Sequence, residues 1–484
     1  MLGLRPGIVW LAPLLAFAQI TPGPKKIGSV VVQGSIRTRV EGWDWFQTDG
    51  ADSGYAYSGT LVRLSFGQTR RSLDWQFELA APVLAGLPDN ALAPAPQGAL
   101  GAGASYFTAN QNSRTAGMVF PKQAFVRFKG LFGDESQNVR VGRFEFIDGS
   151  EIIPRNASLA AMKRERIAHR LLGNFGWTHI GRSFDGFHYV ANKHGISIHL
   201  LGAAPTRGVF QVDGWGALET AFGYASLNGQ FNGKKHSGDW RLLGLYYHDW
   251  RDVLKTDNRS LPRRSADLAN LRLATFGGHY LHAVETGAGT VDATFWGVLQ
   301  TGRWGSLDHR AGAVAIEAGW QPPVWRAVRP WIRAGYFYGS GDPNPNDNTH
   351  STFFQVLPTA RIYARFPFYN LMNNEDLSGT LTLRPAKSIT VKSEYHYLRL
   401  AVRTDLWYAG GGAFQPWSFG YAGRPSGGSR NLSGLYDASV DWTVNPHASI
   451  TCYYGYADGR RVVESIYPRG SSGSLGYVEL TYRF

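Results

Sequence analysis

The stretch GYVELTYRF (Gly476–Phe484) decides how this chain folds. Gly476, Val478, Leu480, Tyr482 and Phe484 fall on one side of an extended strand, and Tyr477, Glu479, Thr481 and Arg483 on the other. One face is apolar and the other carries charge, a period of two that continues to the final residue. Chain ends ordinarily fray. A strand that alternates to its last residue is expected to be paired along its whole length.

The same alternation recurs upstream. Val32, Gly34, Ile36, Thr38 and Val40 alternate with Gln33, Ser35, Arg37, Arg39 and Glu41. Leu73, Trp75, Phe77 and Leu79 alternate with Asp74, Gln76 and Glu78, and Tyr436, Ala438, Val440 and Trp442 with Asp437, Ser439, Asp441 and Thr443. Every second residue suits lipid and the intervening ones suit water. A cation forced against lipid at the bilayer midplane would cost about 2–4 kcal/mol, so the charged face is expected to line a wet lumen. A terminal Phe with an aromatic two places before it resembles the closing strand that the outer-membrane barrel assembly machinery recognises.

Composition agrees with a barrel. Mean hydropathy is −0.23 and no stretch of 18 apolar residues exists, which excludes membrane-spanning helices. Aromatic residues make up 14% of the chain, with 16 Trp and 23 Tyr, enough for girdles at two membrane interfaces. The lone Cys452 excludes an internal disulfide or a cysteine metal cage; at a lipid-facing strand position it is a small apolar residue.

About eighteen alternating segments are expected, joined by connections of two kinds. Gly67–Ser72, Asn192–His194, Glu285–Gly287, Pro385–Lys387 and Asn445–His447 are brief turns. Pro82–Gly117, Asp148–Arg182, Arg251–Asn270, Gly339–Glu375 and Ala401–Arg430 are long. Short periplasmic turns alternating with long outer loops are the habit of outer-membrane barrels. Within one long stretch, Ala157–Leu172 has helical spacing, with Leu159, Met162, Ile167 and Leu171 on one side. It either folds into the barrel or lies on its surface.

At the other end, Arg5 and the apolar run Ile8–Ala18, closing on Ala16-Phe17-Ala18, read as a cleavable signal peptide. The expected division is residues 1–18 as signal and residues 19–484 as a single all-β, transmembrane antiparallel barrel in a bacterial outer membrane.

Net charge is +13. Arg37, Arg39, Arg63, Arg127, Lys129, Arg140, Arg333 and Lys392 fall on the expected lumen face, mixed with Glu41, Asp74, Glu78, Glu317, Glu394 and Asp441. Rings of Arg and Lys favour anions in pores. Contact with lipopolysaccharide outside and a solubilising surface are the competing explanations for the excess, and for any single lumen residue the simpler reading is charge pairing across strands. An exported chain argues against nucleic acid as the partner.

Four stretches resemble the alginate-export family of outer-membrane barrels. They are RTRVEGWDWF (Arg37–Phe46), NVRVGRFEF (Asn138–Phe146) with Gly142-Arg143, GRSFDGF (Gly181–Phe187) with Arg182, Phe184, Asp185 and Gly186, and YGSGDPNPND (Tyr338–Asp347). The resemblance implies an eighteen-stranded barrel with an electropositive lumen that passes a polyuronate. It further implies an anion-lining role for Arg37, Arg39 and Arg143, and a lumen or loop role for Arg182 and Asp185. The arginine-rich insert Lys163–Arg170 has no counterpart in that pattern.

Other chemistry is thinly represented. Asp342, Asn344, Asn346 and Asp347 imitate the start of a calcium loop, but Asp347 stands where its Gly is needed and Phe353 where its closing Glu belongs. An Asx- and Pro-rich turn is the simpler reading. Histidines 169, 179, 188, 194 and 199 lack metal-ligand spacing, and GAGAS (101–105) and GGG (410–412) read as flexible loop glycines. No catalytic residue, metal or cofactor is expected. The sequence therefore points to a channel for an anionic polysaccharide or oligosaccharide, served by a periplasmic export partner or by diffusion. The alternatives are a porin for small anions or nutrients, and a barrel enzyme or receptor acting through its outer loops.

Overall fold

A computed structural model describes residues 25–484. The signal-peptide reading lies outside the described residues. Eighteen antiparallel strands form a closed barrel. They are β1 (Val30–Asp44), β2 (Gly54–Thr69), β3 (Leu73–Ala85), β4 (Phe120–Lys129), β5 (Gln137–Phe144) and β6 (Phe184–Lys193). β7 (Ile196–Pro205), β8 (Thr220–Asn232), β9 (His236–Asp249), β10 (Leu271–Thr286), β11 (Gly289–Trp304) and β12 (Leu307–Gln321) continue the wall. β13 (Trp331–Gly339), β14 (Asn374–Ala386), β15 (Ile389–Leu400), β16 (Asn431–Thr443), β17 (Ala448–Gly459) and β18 (Ser472–Arg483) complete it.

Closure falls to the stretch that opened the sequence reading. β18 pairs with β1 from Ser35↔Arg483 to Asp44↔Ser474. The final residue adds two backbone bonds, Phe484 N–H to Gly34 O and Gly34 N–H to Phe484 O, both 3.0 Å. Alternation follows the expected faces. Ile36, Val40, Val478 and Leu480 are exposed on the outer wall, whereas Arg39, Glu41 and Trp43 are buried inside. Phe231, Trp320, Trp442 and Tyr482 ring the outside near the short-turn end, and Tyr246, Tyr397 and Tyr456 near the long-loop end. Those are the two girdles that the aromatic content predicts. Among the described residues no helix is long and apolar enough to cross a membrane; the crossing is made by strands.

Connections alternate as expected: residues 70–72, 194–195, 287–288 and 387–388 at one end, and 86–119, 145–183, 250–270, 340–373 and 401–430 at the other. By the rule for such barrels, the long-loop end faces outward from the cell. One reading needs correction. GAGAS is not a flexible run, because Ala102–Ala109 is a helix, α1, whose first residues pack on Tyr55. Tyr55 Oη donates to Leu100 O at 2.7 Å and accepts from Gly103 N–H at 3.1 Å, so a side chain from β2 fixes that turn. Gly410, Gly411 and Gly412 all take positive φ, the conformation glycine permits most easily, and Gly411 and Gly412 are buried.

Candidate functional site

The long loops turn inward. In the 145–183 loop, Ala157–Met162 forms a short helix, α2, whose N-terminus is capped by Asn156. Asn156 Oδ1 accepts from the N–H groups of Ser158 and Leu159 at 3.0 and 3.1 Å. The helical reading of 157–172 is thus right at its start and too long at its end. After α2 the backbone widens into a single π-type turn (Lys163–Ile167), and His169 takes a positive φ that ends the helical course.

This insert lies inside the barrel against β9–β14, and its cations are clamped there. Lys163 Nζ reaches Asp239 at 2.9 Å, and His279 Nε2 meets the same carboxylate at 2.7 Å. Arg166 Nε donates to Glu317 at 2.7 Å. Arg170 and Arg333 approach that glutamate at 3.5 and 3.1 Å, and Arg333 also binds Asp292. Burying such groups is tolerable only when each charge has a partner, and here each does.

Two further loops, 340–373 and 401–430, pack over the insert. Arg182 joins all three: its Nη2 donates to Pro358 O at 3.2 Å and to Gly412 O at 2.9 Å, while its plane sits 5.1 Å from the Phe175 ring. Phe354, Phe414, Phe419 and Tyr421 form an aromatic cluster at this junction. Nearer the rim, Asp342 donates its backbone N–H to Asp405 Oδ2 at 2.9 Å, linking the loops again. Burial, with neighbouring carboxylates, pushes the Asp342 carboxyl up to about 7, and burial pushes that of Asp405 up to about 6. The Asx-turn reading holds, since Asn344 N–H bonds Asp342 Oδ1 and Asn346 N–H bonds Asn344 Oδ1, both at 3.1 Å. No group of three or more His, Cys, Asp or Glu able to hold a metal is found among the described residues.

The opposite wall, β15–β18 and β1–β4, is covered less completely, although Glu165 of the insert reaches Lys392 at 3.4 Å and Gly176 O, later in the same loop, accepts from Arg37 at 2.6 Å. There Arg39, Glu41, Lys122 and Asp437 are buried, but other lumen-facing side chains are only part-buried. Arg37 and Glu479 each keep 18% of their side-chain surface, and Lys129 keeps 27%. Arg37, Arg63, Arg127, Lys129, Arg365 and Lys392 supply the positive charge of this strip. Carboxylates alternate with them: Glu479 is 3.7 Å from Arg37, Asp74 is 2.7 Å from Lys129, Asp441 is 3.3 Å from Arg365 and Glu394 is 2.9 Å from Lys392.

The nine expected site residues therefore separate into three groups. Arg37, Arg63, Arg127 and Lys129 lie on the less covered strip. Arg39, Arg182 and Arg333 face inward but are buried, Arg39 between Glu41 at 2.9 Å and Glu479 at 2.6 Å. Arg143 and Asp185 do not reach the lumen. They share the outer face with Val141 and Phe187, and bind each other through two 2.7 Å bonds while Arg143 also donates to Gly214 O and Trp215 O. Parity explains the difference: Arg140 points inward, so a residue three places on points outward. Arg365 was not found from sequence because it sits in an irregular loop without any period.

A family model described as alginate export matches residues 108–458. The chain belongs to the alginate-export family. The first quoted stretch, Arg37–Phe46, and the closing strand lie outside the matched range. No curated protein matches the chain. Among solved structures, it is similar to OpdK of Pseudomonas aeruginosa with vanillate, at 11% identity and TM-score 0.55, covering 94% of this chain and 98% of that one. It is also similar to OccAB2 of Acinetobacter baumannii (11% identity, TM-score 0.57, 95% and 99% covered). A BenF-like porin of Pseudomonas fluorescens Pf-5 is a third (9% identity, TM-score 0.57, 94% and 98% covered). At such identities the likeness concerns the fold. This family member is accordingly a bacterial outer-membrane channel protein.

Proposed function

We propose that this barrel conducts an anionic saccharide chain along the less covered strip between its inserted loop and the β15–β18 and β1–β4 wall. The observation that carries the reading is the division of the lumen cations. Lys163, Arg166 and Arg170 of the insert are buried in ion pairs, whereas Arg37, Arg63, Arg127, Lys129 and Arg365 are only part-buried beside their carboxylates. A cation–carboxylate contact at 4 Å is worth about 1 kcal/mol in bulk water and about 4 kcal/mol at an effective dielectric of 20. Several together would immobilise a polyanion. Interleaved Glu479, Asp441 and Asp74 weaken each contact, which is what release requires. Family membership supports a uronate-bearing solute. Movement is passive, down a gradient or behind a periplasmic partner, and no residue is assigned a catalytic step.

A second reading, passage of small organic anions, is favoured by the three loops packed into the mouth. A narrow strip suits a short solute better than a folded polymer. OpdK, one of the similar structures, holds vanillate. Oligouronates of increasing length, added to one side of a planar bilayer containing the protein, separate the two. Block that deepens with length supports a chain conductor. Block by the monomer alone supports the small-anion porin.

A further inference from the structure

On the outer wall, three arginines meet at the long-loop rim. Arg272 on β10 lies directly opposite Arg303 on β11. Arg310 on β12 pairs with Thr301, two residues before Arg303, and so sits diagonally beside it. All three are exposed and belong to the same outward face as Phe276, Leu299 and Ile316. Directly opposed like charges destabilise a sheet. Arg303 is partly compensated by Asp308 across the hairpin, but neither Arg272 nor Arg310 has an ion pair or side-chain hydrogen bond among the described residues. Other cations near this rim are paired: Arg143 has Asp185, Arg399 and Arg430 share Glu375, and Arg460 has Asp458.

The wall beneath the arginines is also unusual. A groove of about 560 Å³ starts at Arg310 and runs past Thr301 and Gly312 to Phe276 and Leu299. A second hollow of about 610 Å³ continues from Phe276 and Leu299 toward Leu242 and Phe295. Small residues thus leave a furrow in a lipid-facing surface, apolar along its length and cationic at its upper end. The β11–β12 connection above it is only residues 305–306, flanked by the 250–270 loop, whose Asp267 accepts from Ser306 N–H at 3.0 Å, and by the 340–373 loop, whose Thr349 pairs with Asp308.

We propose that Arg272, Arg303 and Arg310 bind the phosphorylated glycolipid of the outer leaflet, with phosphate on the guanidinium groups and an acyl chain in the furrow. A phosphate between Arg272 and Arg303 converts their repulsion into two charge-assisted contacts. The furrow accepts hydrocarbon where a flat wall would only touch it. The inference is independent of what the lumen conducts. It needs only that the long-loop rim lie in the outer leaflet.

The test is binding of bisphosphorylated lipid A and of its dephosphorylated form to the full-length protein in neutral detergent, followed by native mass spectrometry. Retention of the phosphorylated lipid at one or more copies per barrel, with little of the dephosphorylated form, is expected. Arg272→Gln with Arg310→Gln should weaken binding about thirtyfold, each surface arginine being worth about fivefold against an anionic lipid. Heat-shifted migration shows whether that variant is folded; should it fail to fold, the comparison of the two lipids on the unaltered protein decides. Equal binding of both lipid A forms overturns the proposal, as does equal binding of phosphatidylglycerol, which would make the patch a general anion sink.

Discussion

Arg166 Nε donates to Glu317 Oε2 at 2.7 Å, and this bond holds the inserted loop against the lumen wall. Glu317 simultaneously faces Arg170 and Arg333, so one carboxylate from β12 is shared by three guanidinium groups, with Asp292 and Glu394 supplying further negative charge to Arg333 and Arg166. Where the insert lies decides how much of the lumen is left for solute.

Glu317→Ala should therefore release the insert. Breaking a buried pair by removing one partner costs about 3–5 kcal/mol, because the remaining charge is left uncompensated. Hydrogen exchange in residues 157–170 should accelerate and single-channel conductance should rise with more frequent fluctuations. Unchanged exchange in that segment would show that its apolar contacts, Leu159 and Met162, suffice to hold it.

Arg182→Ala removes the strut between three loops. Two buried carbonyls lose a charged donor, at about 1.5–3 kcal/mol for each bond. Proteolysis within 340–373 and 401–430 should become faster while the barrel itself remains heat-resistant. A barrel that no longer folds would place Arg182 in the assembly of the fold rather than in the closure of the mouth.

The rim contact between Asp342 and Asp405 gives a pH dependence. Both carboxyls sit above the ordinary value of 3.8, at about 7 and about 6. A raised carboxyl favours the protonated form in the packed loops, so their packing is strongest at low pH. It is lost as pH rises from about 4 through 7. Asp257 and Asp347 add to the negative field around Asp342. Channel closures should be long at pH 5 and short at pH 8, and Asp342→Asn with Asp405→Asn should flatten the trend. Longer closures at high pH would reverse the sign and contradict it.

Gly34 is needed where it stands. A Cβ there would enter the Phe484 ring, which packs over the β1–β18 seam. Gly34→Val should cost about 1–3 kcal/mol by overpacking and lower the yield of heat-modifiable barrel. Phe484→Ala in the same chain relieves the clash, and yield that is not restored would point to the loss of Phe484 itself as the defect.

The wall was legible in the sequence because period two is a local property. Val478 and Glu479 announce opposite faces without reference to any other strand. Loop lengths were legible for a similar reason, as turn residues mark the short connections. The contents of the lumen were not. Whether Arg166 meets Glu317 depends on two segments 151 positions apart, and no pattern in either announces the other. Parity alone would have placed Arg143 outside with Val141; the family likeness overrode it. Arg365 lies in a loop whose course is set by packing against Tyr477 and Asp441, so no periodic signal marks it.

The most direct test of the central claim is the reversal potential of the purified protein in a planar bilayer under a salt gradient. The less covered basic strip predicts anion selectivity that falls when Arg37, Arg63 and Arg365 are changed together to Gln, and that stays unchanged in Arg143→Gln, whose side chain lies outside the barrel. Cation selectivity of the unaltered protein, or selectivity indifferent to the triple change, would contradict the account.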